Sequence, residues 1–167
     1  PKSYNNKFGV PLSLLNLKQN DDFGILEVGM DKKGEISNLT KIIKPNVGII
    51  TNISYAHSKN FKNIKEIAKA KAEIMNHIKK NGTVVLNADD DFFEFHKNLA
   101  FQKNLNVRSF GIKNKFSDIK FIKSSKKDKR YEIFVKENGK IFSFYSKNLN
   151  KNNIYNILAS LTAINLF

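Results

Sequence analysis

"NVGIITN" (46–52), "IKEIAKAKAEIMNHIKK" (64–80) and "TVVLN" (83–87) follow one another closely, and their reading decides the fold. The outer two are short β-branched apolar runs of strand length. The middle one repeats its apolar residues at helical spacing: Ile64, Ile67, Ala68, Ile74, Met75 and Ile78 share one stripe. Strand, helix, strand is the grammar of a parallel sheet covered by helices. Lys69 falls off the stripe and Lys71 falls on it, so one lysine is aimed at the interior.

Outward from this unit the grammar continues. "FGILEV" (23–28) reads as a buried strand closed by Gly29, and "GEISNLTKIIK" (34–44) as an amphipathic helix stopped by Pro45. Asn81-Gly82 is a suitable end for the 64–80 helix. "DDDFFEFHKNLA" (89–100) starts with acidic residues suited to a helix N-terminus. Beyond "NVRSFGI" (106–112) the pattern alternates apolar and polar, with Asn138-Gly139 as a two-residue hairpin turn. The expectation is one α/β domain over 1–167: a largely parallel sheet flanked by helices, a small antiparallel β patch near residues 106–146, and a closing helix over 153–167.

With 41% hydrophobic residues in 167, the chain is long enough for a sizeable core. It has no cysteine, which excludes a disulfide framework and thiolate metal sites. No apolar run is long enough to span a bilayer and no signal peptide opens the sequence, so a cytoplasmic setting without membrane insertion is expected. The net charge of +14 invites a polyanion partner. However, arginine occurs only at Arg108 and Arg130, and the lysines are scattered apart from "KSSKKDKR" (123–130). The bland reading, a lysine- and asparagine-rich composition with no nucleic acid partner, is preferred.

In parallel α/β sheets, ligands gather beyond the carboxyl ends of the strands. Glu27 ends the first strand, Asn52 the second, and His57 follows in the exit loop; Lys71 lies on the inward face of the next helix. A carboxylate in an apolar strand is costly unless it is paired or binds a metal. A Glu27–Lys71 ion pair and a metal site both satisfy that, and His57 is either a loop residue or a ligand. G-x-x-x-x-G-K-[ST], G-x-S-x-G and H-E-x-x-H do not occur in the sequence.

"YNNKFGVPLSLLNL" (4–17), "ILEVGMDKKGEI" (25–36), "PNVGIITNISYAH" (45–57), "IAKAKAEI" (67–74) and "VVLNADD" (84–90) resemble, in order and spacing, the motifs of the Mur ligases. The first two are most similar to the branch that adds D-alanyl-D-alanine. The resemblance implies the central, P-loop NTPase-like domain of a cytoplasmic, monomeric, ATP- and Mg²⁺-dependent amide ligase of peptidoglycan synthesis. Its substrates would be UDP-MurNAc-tripeptide and D-alanyl-D-alanine, joined through an acyl phosphate.

By that resemblance Glu27, His57 and Lys71 are the catalytic and metal-holding residues, with Lys71 carbamylated. Asn5, Asn6 and Asn52 lie near the substrate and phosphates, and Asn153 and Asn156 bind the nucleotide. Burial on an apolar stripe favours the neutral amine that carbamylation needs, and the carbamate is an oxygen ligand of the kind Mg²⁺ prefers.

The sequence departs from the family pattern at Asn150 and Asn152, where glycine and histidine are usual, and at Tyr55, where proline is usual. The phosphate-cradling loop is expected upstream of Pro1. So are an N-terminal domain for the UDP substrate and, downstream, a C-terminal domain, so the chain alone is expected to be inactive. Another Mur-like ligase, of folylpolyglutamate or cyanophycin synthetase type, is the alternative, with a basic nucleic-acid module behind it.

Overall fold

The structure is a computed structural model that describes residues 4–55 and 60–167. The elements run α1 (Gly9–Leu15), α2 (Glu35–Ile43), β1 (Val47–Ile50), α3 (Ile64–Ala72), β2 (Thr83–Asn87), α4 (Phe93–Gln102), β3 (Asn106–Gly111), β4 (Ile119–Lys127), β5 (Arg130–Glu137), β6 (Lys140–Ser146) and α5 (Lys151–Ile164). Among the described residues the strands form one sheet in the order β1-β2-β3-β4-β5-β6. β1 to β4 are parallel, and β5 and β6 continue the sheet antiparallel. The antiparallel part is thus an extension of the main sheet, and 106–111 belongs to the parallel half rather than to a separate patch.

Two cores explain the alternation. On one face Ile50, Val84 and Leu86 pack with Ala72, Met75, Ala100 and Leu105, under α3 and α4. On the other, Val85, Phe110, Ile119, Ile133 and Val135 pack with Ile154, Leu158 and Ala159 of α5. β2 is buried at all five positions because helices cover both of its faces. The Asn138-Gly139 turn has positive φ at both residues (48° and 81°), as the hairpin reading requires. Among the described residues, no helix is long and apolar enough to cross a membrane.

Three expectations are corrected. The segment 23–28 forms no strand: it pairs with no other strand among the described residues, and Phe23 and Ile25 are 60% and 96% exposed. An apolar run becomes a strand only when a ladder satisfies its backbone.

The helix expected over 64–80 is α-helical only to Ala72 and continues as a 3₁₀ turn over Glu73–His77. There the Glu73 carboxylate reaches sideways to accept hydrogen bonds from Gly34 N–H at 2.8 Å and Ser37 N–H at 3.2 Å, capping α2. Ile78 is then extended, and Lys79 N–H binds the Pro45 carbonyl at 2.9 Å. Asn81-Gly82 therefore closes a docked loop, not a helix.

The helix expected from 89 begins at Phe93, because Asp90 turns its carboxylate onto Phe92 N–H at 2.9 Å and stops the helix from extending back.

The loop before β2 depends on Gly82. A Cβ there would lie 2.4 Å from Ile78 Cγ2 and 2.6 Å from the Asn46 carbonyl oxygen. Gly82→Ala should therefore destabilise the domain by roughly 1–3 kcal/mol, as overpacking does. Thermal unfolding checks it: an unchanged midpoint would show that the loop yields freely.

Candidate functional site at the carboxyl ends of the strands

Lys71 sits on α3 among the buried alanines Ala68, Ala70 and Ala72 and is half-buried, whereas Lys69 is exposed. Burial lowers the Lys71 pKa below the usual lysine range, and the nearby negative charge of Asp90 opposes that shift. The inward aim read from the stripe is borne out.

Glu27 is exposed, not embedded in a strand, and its Oε1 accepts a hydrogen bond from Asn5 Nδ2 at 2.8 Å. No Glu27–Lys71 ion pair forms among the described residues. Asn5 also accepts from Gly29 N–H through its carbonyl at 2.7 Å. Asn6 Oδ1 accepts from Phe8 and Gly9 N–H at 3.0 and 2.9 Å and so organises the start of α1. Asn52 is exposed at the end of β1, accepting from the Thr51 hydroxyl at 3.3 Å. His57 lies outside the described residues.

At the other side of the sheet edge, Asn150 caps α5 by accepting from Asn153 N–H at 2.8 Å. Asn153 Nδ2 donates to the Asn148 carbonyl at 2.8 Å and to Ser146 Oγ at 3.2 Å. Asn150, Lys151, Asn152, Asn153 and Asn156 line an open depression of about 460 Å³. Asn150 and Asn152, the positions that depart from the family pattern, therefore still face the same hollow as Asn153 and Asn156.

Between these groups lie residues to which the sequence reading gave no role in the site. Asp89 accepts from the backbone N–H groups of Ile112 (2.6 Å), Lys113 (2.9 Å) and Asn114 (2.6 Å), and from the Tyr155 hydroxyl at 2.9 Å. Burial pushes its carboxyl up, but these hydrogen bonds together outweigh burial and hold it below its ordinary value. Burial, then the Asp89 carboxylate, push the Tyr155 phenol well above its usual range.

Asp90 accepts from Ile53 N–H at 2.8 Å, tying the exit loop of β1 to the end of β2. Buried His96 donates from Nε2 to the Ala68 carbonyl at 3.0 Å, one turn before Lys71. Burial lowers its pKa, so the ring is held neutral. The signal available in the sequence was the polar run "NADD" directly after a fully apolar strand.

The donor chemistry suits a hard cation in part. Glu27 offers carboxylate oxygen beside Asn5, and Lys71 would offer oxygen once carbamylated. Among the described residues no trio of His, Cys, Asp and Glu side chains converges. A metal here would therefore need oxygen or nitrogen donors beyond the unmodified side chains described.

Comparison with known proteins follows the same outline. The family described as Mur ligase middle domain matches residues 1–164. A UDP-N-acetylmuramoyl-tripeptide–D-alanyl-D-alanine ligase of Buchnera aphidicola subsp. Baizongia pistaciae is 37% identical over 163 residues, covering 96% of this chain and 34% of the relative. A crystal structure of MurF from Acinetobacter baumannii superposes with a TM-score of 0.87 at 25% identity, covering 98% of this chain and 35% of that one. MurF ligase from Thermotoga maritima in complex with ADP gives 0.84 at 25% identity, covering 99% and 38%. The chain spans about a fifth to a third of the length of the curated relatives it matches.

The Asp89 cluster has a pH signature. Its folded pKa is depressed below the ordinary 3.8, so its stabilisation is present above that value and is lost as pH falls through the lowered one. Denaturant unfolding between about pH 5 and pH 2 should show the wild type losing more stability on acidification than Asp89→Asn. Parallel curves would mean the carboxylate carries no such linkage.

Proposed function

The chain belongs to the Mur ligase middle-domain family, and from that premise we propose that it is the ATP-using central domain of a cytoplasmic, monomeric ligase. The reaction is the joining of D-alanyl-D-alanine to UDP-MurNAc-tripeptide. Supporting the substrates are relatives, named as ligases of this kind, that align along nearly the whole chain. Supporting the nucleotide is the ADP held by the Thermotoga relative. The observation that carries the site assignment is Lys71: a half-buried lysine among alanines, with its pKa lowered by burial, beside the strand ends.

In this reading an oxygen of the tripeptide's terminal carboxylate attacks the γ-phosphorus of ATP and ADP leaves. The amine of D-alanyl-D-alanine then attacks the acyl carbon, and the tetrahedral intermediate collapses with loss of phosphate and a proton. Mg²⁺, when bound, supplies charge neutralisation to the phosphates. The residues that would hold it are Glu27, His57 and carbamylated Lys71. Carbamylation joins the neutral Nζ to the carbon of CO₂; one C=O electron pair moves to oxygen and the nitrogen releases a proton.

Asn5 orients Glu27 through the 2.8 Å hydrogen bond, Asn52 presents its amide from the end of β1, and Asn6 fixes the turn that carries Asn5. Asn153 and Asn156 bind the nucleotide at the hollow before α5. The phosphate-cradling loop is supplied by polypeptide outside these 167 residues, which hold no such motif. Nucleic acid is not a partner in this reading: Arg108 is engaged within the sheet by Glu137 at 2.7 Å.

The full-length enzyme should form amide product from ATP, UDP-MurNAc-tripeptide and D-alanyl-D-alanine; product with a different acceptor only would replace this reading with another Mur-like ligase. Lys71→Ala should lower turnover by roughly 10²–10⁴-fold, with partial rescue by short carboxylic acids. Carbon-13 bicarbonate should label Lys71 in the liganded wild type. An unlabelled, fully active enzyme would remove the carbamate.

A further inference from the structure

Asp89 and Asp90, the first two of the three aspartates after β2, touch neither of the ligand-facing groups directly, yet each is bonded to the segment that carries one of them. Asp90 accepts from Ile53 N–H, the residue after Asn52. Asp89 accepts from the Tyr155 hydroxyl, and Tyr155 stands between Asn153 and Asn156 on α5. Their shared backbone is itself fixed. Asn87 Oδ1 accepts from Asp89 N–H at 3.0 Å while Asn87 Nδ2 donates to the Thr51 carbonyl at 2.9 Å. Ala88 N–H donates to the Phe110 carbonyl at 2.7 Å, and Asn114 Nδ2 to the Ala88 carbonyl at 3.1 Å.

Two loops and one helix are thus pinned to a single dipeptide at the sheet's carboxyl edge. We propose that Asp89 and Asp90 are positioning residues that set the nucleotide-binding start of α5 and the exit loop of β1 in register across that edge, Asp89 through Tyr155 and Asp90 through Ile53.

The asymmetry of the contacts supports this. Asp89 already closes the 112–114 loop with three backbone hydrogen bonds, so loop closure does not need the phenol. The phenol is the bond that reaches α5, and it is made by a side chain whose ring also packs edge-on to Phe110 at 6.5 Å. Removing only the hydroxyl should leave that packing, and the bonds of Asn153 to Ser146 and Asn148, in place while loosening the tie between Asp89 and the first turns of α5. Asp90, in contrast, bonds Phe92 N–H at the start of α4 and Ile53 N–H across the gap, and its charge faces Lys71. Its effect should fall on the half of the site that handles the carboxylate and the incoming amine.

This proposal rests on the ATP-ligase reading and is tested on the full-length enzyme with Tyr155→Phe and Asp90→Asn. ADP affinity by calorimetry, KM for ATP and for D-alanyl-D-alanine, kcat and the thermal midpoint are measured together. Tyr155→Phe should weaken ADP and raise the KM for ATP by about tenfold, the scale of one charge-assisted hydrogen bond, with kcat at saturating ATP and the KM for D-alanyl-D-alanine barely changed. Asp90→Asn should show the opposite split: kcat down by about tenfold or more, with ADP affinity barely changed. Variants that bind ADP and turn over like the wild type, or that weaken every ligand in step with the thermal midpoint, overturn the positioning roles alone. A wild type that binds no ADP overturns the ATP reading itself, and the positioning roles with it.

Discussion

β2 is buried on both faces, and that constraint displaces the chemistry to one edge. A strand enclosed by helices on either side has no room for a charged side chain along its length, since each would lose its hydration without a partner. Thr83 and Asn87, the polar residues at its two ends, are themselves buried. The first carboxylates that the chain can place after "TVVLN" come in the turn beyond the strand, and both are there. The neighbouring parallel strands β1 and β3 end at the same edge, so their exit loops converge on that turn. Parallel topology makes the meeting possible; the two aspartates hold it.

Lys71 lives under two opposed influences. Burial among alanines favours the uncharged amine, and Asp90 favours the ammonium. Neither extreme would serve the carbamylation proposed for this lysine. A fully solvated lysine is almost always protonated at neutral pH, and a deeply sealed one has no access to CO₂. Half-burial is the intermediate. Asp90's two oxygens are committed to Ile53 and Phe92 N–H, which delocalises its charge into backbone hydrogen bonds and tempers its hold on the ammonium.

Much of this was legible in the sequence, for reasons that differ by element. β1, β2 and α2 were readable because apolar period and flanking breakers agree. The hairpin at Asn138-Gly139 was readable because few residue pairs accept two positive φ angles. The 23–28 segment was misread because apolar composition announces burial but cannot say whether a ladder partner is present. The 64–80 helix was overextended because the apolar stripe continues through Ile74 and Ile78 while the backbone has already tightened. What decides that point is the bond from Glu73 to Gly34, 39 residues away, and no local pattern records it. Asp89 and Tyr155 escaped notice for the same reason, with 66 residues between them.

The exposed setting of Glu27 changes how its placement must be understood. A carboxylate in a sheet would be held by the ladder; this one is held by the segment around Asn5. Asn5 grips it twice, donating to the side chain and accepting from Gly29 N–H two residues on. The approach is close enough that a Cβ on Gly29 would sit 3.0 Å from Asn5 Cγ, tighter than ordinary packing allows. Glycine at 29 is thus required by the asparagine's proximity, not by a strand end, since its φ needs no left-handed conformation. Glu27 and Lys71 accordingly have different immediate supports, the loop pair 5–29 for one and α3 for the other, joined where Val28 and Met30 pack with Ile67 and Ala70. That packing, together with the bonds from Gly34 and Ser37 N–H to the Glu73 carboxylate, holds the Glu27 segment against the helix that carries Lys71 before any cation arrives.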